Sequence, residues 1–163
     1  MTLDDDVARL ARTRPFSLMP REALQLLAFS SEKKRLKAGE LAFGPSEKAD
    51  AGYFVLSGAL TIESADGGSA KTRVVEAGAL IGENALVAEV ARPFAARAAV
   101  PSVVLRAPRD VFRRVLIEFP AAAAKIRRAY SARTRRIVAE LDASRIRALD
   151  AVGSANRENR RAL

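Results

Sequence analysis

Two side chains of opposite charge stand nine positions apart: Glu83 in Ile81-Gly82-Glu83-Asn84-Ala85-Leu86, and Arg92 in Ala91-Arg92-Pro93-Phe94-Ala95. Gly82 lets the chain turn with no Cβ penalty. Residues 84–87 can start a short helix, whose first amide N–H groups lack partners inside it and attract an anion. If the chain folds back, Arg92 faces the same spot. Its planar guanidinium grips a phosphate in a two-pronged way that an ammonium cannot match. A carboxylate beside a phosphate is repelled by it, so Glu83 belongs there only if it faces a donor such as a sugar hydroxyl. A phosphate and a hydroxyl close together describe a small nucleotide.

Such a pair needs a frame, and the chain encodes one. Residues 7–14 read as a short helix stopped by Pro15, and Pro20 opens a second one whose Leu24, Leu27 and Ala28 share a face. Residues 30–34 read as a polar exit. From residue 35 to about 106, short apolar runs alternate with turn signals such as Lys37-Ala38-Gly39-Glu40, Gly44-Pro45-Ser46 and Glu76-Ala77-Gly78. That pattern suits a sandwich or a barrel. Ala65-Asp66-Gly67-Gly68 is the clearest hairpin signal, and residues 98–105 read as the last strand. A helix over 110–118 ends at Phe119-Pro120. A long one follows over 121–152, its apolar positions Ile126, Tyr130, Ile137, Leu141, Ala148 and Val152 spaced by threes, fours or their sums. Gly153 ends it.

The stretch Ile81-Gly82-Glu83-Asn84-Ala85-Leu86 followed by Arg92 resembles the phosphate-binding cassette of cyclic nucleotide-binding domains, whose pattern is roughly GE-x-A-L and then Arg. Pro15-Phe16-Ser17-Leu18-Met19-Pro20-Arg21-Glu22-Ala23-Leu24 is similar to the family's entry helices, and residues 36–43 to its first strand. Tyr53-Phe54-Val55-Leu56-Ser57-Gly58 resembles its aromatic strand ending in glycine, and Leu105-Arg106-Ala107-Pro108-Arg109-Asp110-Val111-Phe112 its exit into the next helix. With the cassette, these four further motifs stand in the right order, and the resemblance spans roughly residues 14–140.

The resemblance implies a mainly β, α+β fold. It would comprise N-terminal helices over 1–34, an eight-stranded antiparallel, jelly-roll-like β-roll with its following helix over 35–120, and a basic amphipathic C-terminal helix and tail over 121–163. It implies cyclic AMP or cyclic GMP as ligand, with no other cofactor and no catalysis. Glu83 would hold the ribose hydroxyl and Arg92 the phosphate. Gly82 would shape the turn, Asn84 and Ala85 would offer backbone amides, and Pro93, Phe94 and Ala95 would complete the binding set. Tyr130 or Arg133 would form a lid over the base, where an aromatic or a guanidinium stacks on a purine. Arg97 is a rival for the phosphate, since Arg97-Ala98-Ala99 also looks like the family's Arg-x-Ala, at the expense of a five-residue insertion. Val74, Leu80 and Ala95 are candidates for the base pocket or for plain core. Residues 93–96 carry no hydroxyl, and Pro93 has no N–H to lend a ligand.

Composition excludes several chemistries. The chain has no cysteine and no histidine. Disulfides, thiolate catalysis, zinc–sulfur sites and the usual general base are therefore absent, as are the histidine-ligated metal sites of cupins. No metal site is expected. A length of 163 residues suits one domain with an appended element, and 49% apolar residues argue against wholesale disorder. The acidic start, Met1-Thr2-Leu3-Asp4-Asp5-Asp6, does not read as a secretory leader. No apolar run approaches the ~18 residues of a membrane span, so the expected location is cytoplasmic, with no membrane partner.

The net charge of +9 is uneven, because residues 121–163 hold eleven Lys and Arg against four Asp and Glu. Those cations read as a solvated face, as an acidic-partner or nucleic-acid patch, or in part as the lid. The apolar stripe reads as packing on the β-roll or as a homodimer seam. Three functions follow: a cyclic nucleotide sensor, a ligand-free β-roll serving protein interaction or dimerisation, and a nucleic-acid binder through the tail. The first is the leading expectation. Nucleic acid is the least expected partner, since relatives that regulate transcription carry a helix-turn-helix after the long helix and none is encoded here.

Overall fold

Helix α1 (Leu3–Leu10) begins earlier than residue 7 because Thr2 and Asp5 close a capping box: the Asp5 amide donates to the Thr2 hydroxyl, and the Thr2 amide to the Asp5 carboxylate. Asp4, Asp5 and Asp6 fill its first turn, where negative charge meets the positive end of the helix dipole. After Leu10 the chain turns, since the residue before Pro15 is disfavoured in a helix. A 3-10 turn (Phe16–Leu18) leads to α2 (Arg21–Phe29), with Pro20 just outside the helix as its cap. The computed structural model describes residues 2–45, 47–64, 72–136, 139–140 and 143.

The strands are β1 (Glu32–Leu36), β2 (Leu41–Phe43), β3 (Lys48–Ala49), β4 (Ala51–Ser57), β5 (Ala59–Ser64), β6 (Arg73–Glu76) and β7 (Leu80–Ile81). A single helical turn α3 (Asn84–Val87) precedes β8 (Val90–Ala91), β9 (Phe94–Ala98), β10 (Ser102–Pro108) and helix α4 (Arg109–Glu118). One sheet has the order β1-β10-β4-β7, the other β2-β9-β5-β6, and β3 pairs with β8 as a short ribbon; every pairing is antiparallel. The α+β β-roll is as expected, but with ten strands among the described residues rather than eight. The polar exit at 30–34 is largely β1, whose polarity suits an edge strand bonded on one side only. The expected last strand over 98–105 is split by a turn at Pro101, which cannot donate to a ladder. The hairpin signal at 65–68 lies outside the described residues, although β5 and β6 on either side of it pair.

The two four-stranded sheets close on one core of Leu36, Phe43, Ala51, Tyr53, Val55, Leu60, Ile62, Ile81, Ala96, Ala98 and Val104. β4 is buried along nearly its whole length. Its Tyr53 and Val55 face into the roll, while Phe54 and Leu56 alternate onto the other side, under the helices. There the Phe16 ring stands edge-on to both Phe54 and Phe112, each 6.3 Å away. Beneath α1, buried Asp6 is held by Lys33 Nζ at 2.5 Å.

The chain divides into two compact units, Met1–Ala123 and Ala124–Leu163. Within the second, residues 124–136 are helical and Arg136 pairs with Glu140 at 3.6 Å. The distal stripe positions Ile137, Leu141, Ala148 and Val152 lie outside the described residues. No helix among the described residues is long and apolar enough to cross a membrane.

Candidate functional site

The ladder between β4 and β7 ends at the pair Tyr53–Ile81. At the next residue the chain turns away, with Gly82 at φ +70°. Ala51, two residues before Tyr53, is thereby left with a carbonyl that β7 does not reach, and Arg92 Nη2 donates to it at 3.0 Å. Gly82 is needed twice over: its φ suits glycine, and an added Cβ would stand 2.9 Å from Arg92 Nη1. Helical turn α3 then packs Ala85 and Leu86 inward, Leu86 against the bare backbone of Gly52.

Arg92 is 5% exposed. Its guanidinium carbon lies 3.9 Å from the centre of the Phe43 ring and 5.2 Å from that of Tyr53, and its own N–H donates to the Glu47 carbonyl at 3.2 Å. Among the described residues no carboxylate lies within ion-pair distance of it. Burial holds the guanidinium below its ordinary pKa, against the opposing influence of Tyr53, Asp50 and Glu47. A buried cation faced by aromatic rings rather than by an acid keeps its charge available to an incoming anion.

Arg92 and Glu83 line one cleft of about 280 Å³, together with Gly82, Asn84, Ala85, Pro93 and Phe94. Leu80 is also in its wall, whereas Val74 is 57% exposed on the outer face of β6. Ala95 alternates onto the opposite face of β9 from Phe94 and Ala96, so it stands outside the cleft. Arg97 shares that opposite face. Its Nη1 donates to the Gly39 carbonyl at 2.7 Å and its Nε lies 3.5 Å from Glu63, so it stands outside the cleft that Arg92 lines. The Ala85 amide, expected to be open to a phosphate, donates to the Gly82 carbonyl at 3.0 Å within the turn. Tyr130 and Arg133 both fall in the helical residues of the second unit.

Two residues escaped the sequence reading of the site. Arg73, on β6, is a second guanidinium in the cleft wall. Arg109, the first residue of α4, is 9% exposed and clamps the cassette from behind. Its Nε donates to the Ala85 carbonyl at 2.7 Å, Nη2 to the Ala49 carbonyl, and Nη1 lies 3.4 Å from Glu89. One side chain thus ties β3, α3 and the loop to β8. Its only sequence signal is an arginine directly after Pro108 at the start of an amphipathic helix.

The profile of the family described as "Cyclic nucleotide-binding domain" matches residues 33–119. A cyclic nucleotide-binding-like protein from Brucella abortus is 37% identical, with a TM-score of 0.63 over 69% of this chain and 98% of that one. The N-terminal domain of a transcriptional regulator from Streptomyces coelicolor has the same fold at 24% identity, with a TM-score of 0.71 over 78% of this chain and 93% of that domain. Lysophospholipase NTE1 of Phaeosphaeria nodorum is 30% identical over 126 residues, which is 75% of this chain and 8% of that protein. With a matching profile across more than half of its 163 residues, the chain belongs to the cyclic nucleotide-binding domain family.

Proposed function

We propose that the chain is a non-catalytic sensor that binds a cyclic purine mononucleotide in the cleft between Glu83 and Arg92. The observation that carries this is a buried guanidinium with no carboxylate partner among the described residues, in the same wall as an acid. Arg92 neutralises the cyclic phosphate and Glu83 accepts from the ribose 2′-hydroxyl. Binding draws Arg92 from the Ala51 carbonyl toward the phosphate. Because Gly82 abuts the guanidinium and Arg109 grips Ala85, the cassette and α4 respond together. The ligand shifts this equilibrium only by its difference in affinity for the two states. Isothermal titration with cyclic AMP and cyclic GMP tests the reading: absence of heat at millimolar ligand, with a folded sample, rejects it.

A ligand-free scaffold is the second reading, favoured by Pro93, which has no N–H, and by the Ala85 amide already engaged inside the turn. It expects Arg92→Ala to leave every interaction of the protein as in the wild type.

A further inference from the structure

We infer that Phe43 is a positioning residue for Arg92: its ring keeps the guanidinium from pairing with Glu47 and leaves the charge to the ligand, an inference that rests on the nucleotide reading of the cleft. The β3–β8 ribbon pairs Lys48 with Ala91 and Ala49 with Val90, so the same register sets Glu47 opposite Arg92. The Arg92 N–H carries the ladder on to that pair by donating to the Glu47 carbonyl at 3.2 Å. Residues opposite one another in an antiparallel pair share a face, and an acid facing a cation there ordinarily forms an ion pair. Here the two side chains part. Glu47 is exposed, with Oε1 2.8 Å from where a Cβ on Gly44 would stand. Arg92 turns inward instead, and among the described residues no ion pair joins the two.

What the guanidinium meets on turning inward is the Phe43 ring, 3.9 Å from its carbon, and the Ala51 carbonyl. The ring itself is fixed in place. Phe43 is 4% exposed, pairs with Ala96 of β9, and is tilted against Tyr53 at 5.2 Å and Phe94 at 5.7 Å. Phe94 also lines the cleft, so the support under Arg92 is continuous with the ligand's own wall. A ring face attracts a cation without cancelling its charge. A carboxylate cancels the charge and must then be displaced by an incoming phosphate. Glu47 already pulls on Arg92, as one of the groups that oppose the lowering of its pKa by burial. Without the ring, the acid across the ribbon is the next partner for so long a side chain. If about nine tenths of the molecules took up that pairing, the apparent affinity for a phosphate would fall about tenfold, since only the remainder could bind.

The test places phenylalanines with one, two or three ring fluorines at position 43 of the full chain and titrates each protein with cyclic AMP and cyclic GMP. Fluorine withdraws negative charge from the ring face and nearly keeps its shape, so packing is preserved while the attraction for the cation falls. Affinity for the tighter-binding nucleotide is expected to drop stepwise along the series, by about tenfold at three fluorines. Phe43→Leu loses about tenfold or more. Glu47→Gln alone shifts affinity by less than about threefold, and Glu47→Gln added to Phe43→Leu regains most of the loss. With no ligand present, proton NMR is expected to show Arg92 side-chain resonances moved upfield by the ring current in the wild type, and contacts between the Arg92 and Glu47 side chains in Phe43→Leu. A flat fluorine series, or a loss in Phe43→Leu that Glu47→Gln does not recover, marks the ring as packing alone and overturns the inference while the nucleotide reading stands. Absence of Arg92–Glu47 contacts in ligand-free Phe43→Leu overturns it equally. No binding by the wild type sinks the nucleotide reading and the inference together. Should Phe43→Leu fail to fold, the fluorinated series decides alone.

Discussion

Replacing Arg92 by methionine separates what the guanidinium does for a ligand from what it does for the fold. Among the described residues its side-chain hydrogen bond is to the Ala51 carbonyl at 3.0 Å, and its charge sits 3.9 Å above the Phe43 ring. Removing the bond leaves a buried carbonyl unsatisfied, which costs about 1–3 kcal/mol. Removing the cation–π contact costs about 1–2 kcal/mol more. Against both stands the desolvation of a buried charge lacking an acid, worth several kcal/mol. Burial lowers the pKa of Arg92 despite Tyr53, Asp50 and Glu47, in keeping with a site that penalises the charge. Methionine retains most of the apolar contact with the two rings. The free variant is therefore expected to be as stable as the wild type or more so, by about 0–2 kcal/mol, which leaves its thermal midpoint unchanged or raises it by up to about 6 °C. Loss of two charge-assisted bonds to a phosphate, at about 1.5–3 kcal/mol each, lowers nucleotide affinity about 10²- to 10⁴-fold. Scanning calorimetry of both proteins, alone and with millimolar cyclic nucleotide, reads both effects. A midpoint that falls by more than about 5 °C without ligand would show Arg92 to be a pillar of the core. An undiminished ligand-induced shift would refute its part in binding.

Gly82→Ala forces a Cβ to within 2.9 Å of Arg92 Nη1 at φ +70°; the expected result is a loss of about 1–2 kcal/mol in denaturant unfolding, with weakened nucleotide binding in titration. Arg109→Ala removes the contacts to Ala85, Ala49 and Glu89 and leaves two buried carbonyls unpaired. It is expected to destabilise by about 3 kcal/mol, and amide exchange at 84–91 should speed up more than exchange in the first sheet. Lys33→Ala strands the Asp6 carboxylate, which is 4% exposed, so a loss of about 3 kcal/mol is expected. Adding Asp6→Asn should recover part of that loss in a double-mutant cycle, and strict additivity of the two changes would count against the ion pair.

Much of the frame was legible because it rests on short-range rules. The alternation through 35–106, the turn glycines and Pro20 locate the strands and helices closely enough to fix the class. Misses occurred where a long-range partner overrides local character. Glu32-Lys33-Lys34 looks like part of an exit loop, and becomes β1 because β10 offers a free edge. Residues 3–6 fall before the helix read over 7–14, and become the first turn of α1 because Thr2 caps it. At the site, spacing brought Glu83 and Arg92 together, since a glycine turn leaves a nearby basic residue little choice but to return to the same corner. Spacing was silent about Arg73, which arrives from another strand through two sheet pairings, and about Phe43, whose ring reaches Arg92 from the neighbouring strand β2. Ala95 and Arg97 show the period-two rule acting beside the motif, since a one-residue step along β9 moves a side chain out of the cleft.

How Arg92 is held argues for a ligand more strongly than its place in a motif does. A buried arginine kept for stability alone is best served by a carboxylate, which cancels the charge and fills the donors. Among the described residues its ring and hydrogen-bond contacts are two aromatic faces and one backbone carbonyl. A ring face steadies a cation through its quadrupole without neutralising it, and a carbonyl occupies one donor of the five a guanidinium carries. The side chain is thus pre-aimed and its charge left largely unspent, at some expense in folding free energy. A sequence drifting without selection for binding would gain stability by replacing this arginine with an apolar residue, since most of the surrounding contacts would survive the change. An arginine in a largely apolar corner, beside a glycine whose missing Cβ gives it room, suits an anion site better than a bare scaffold.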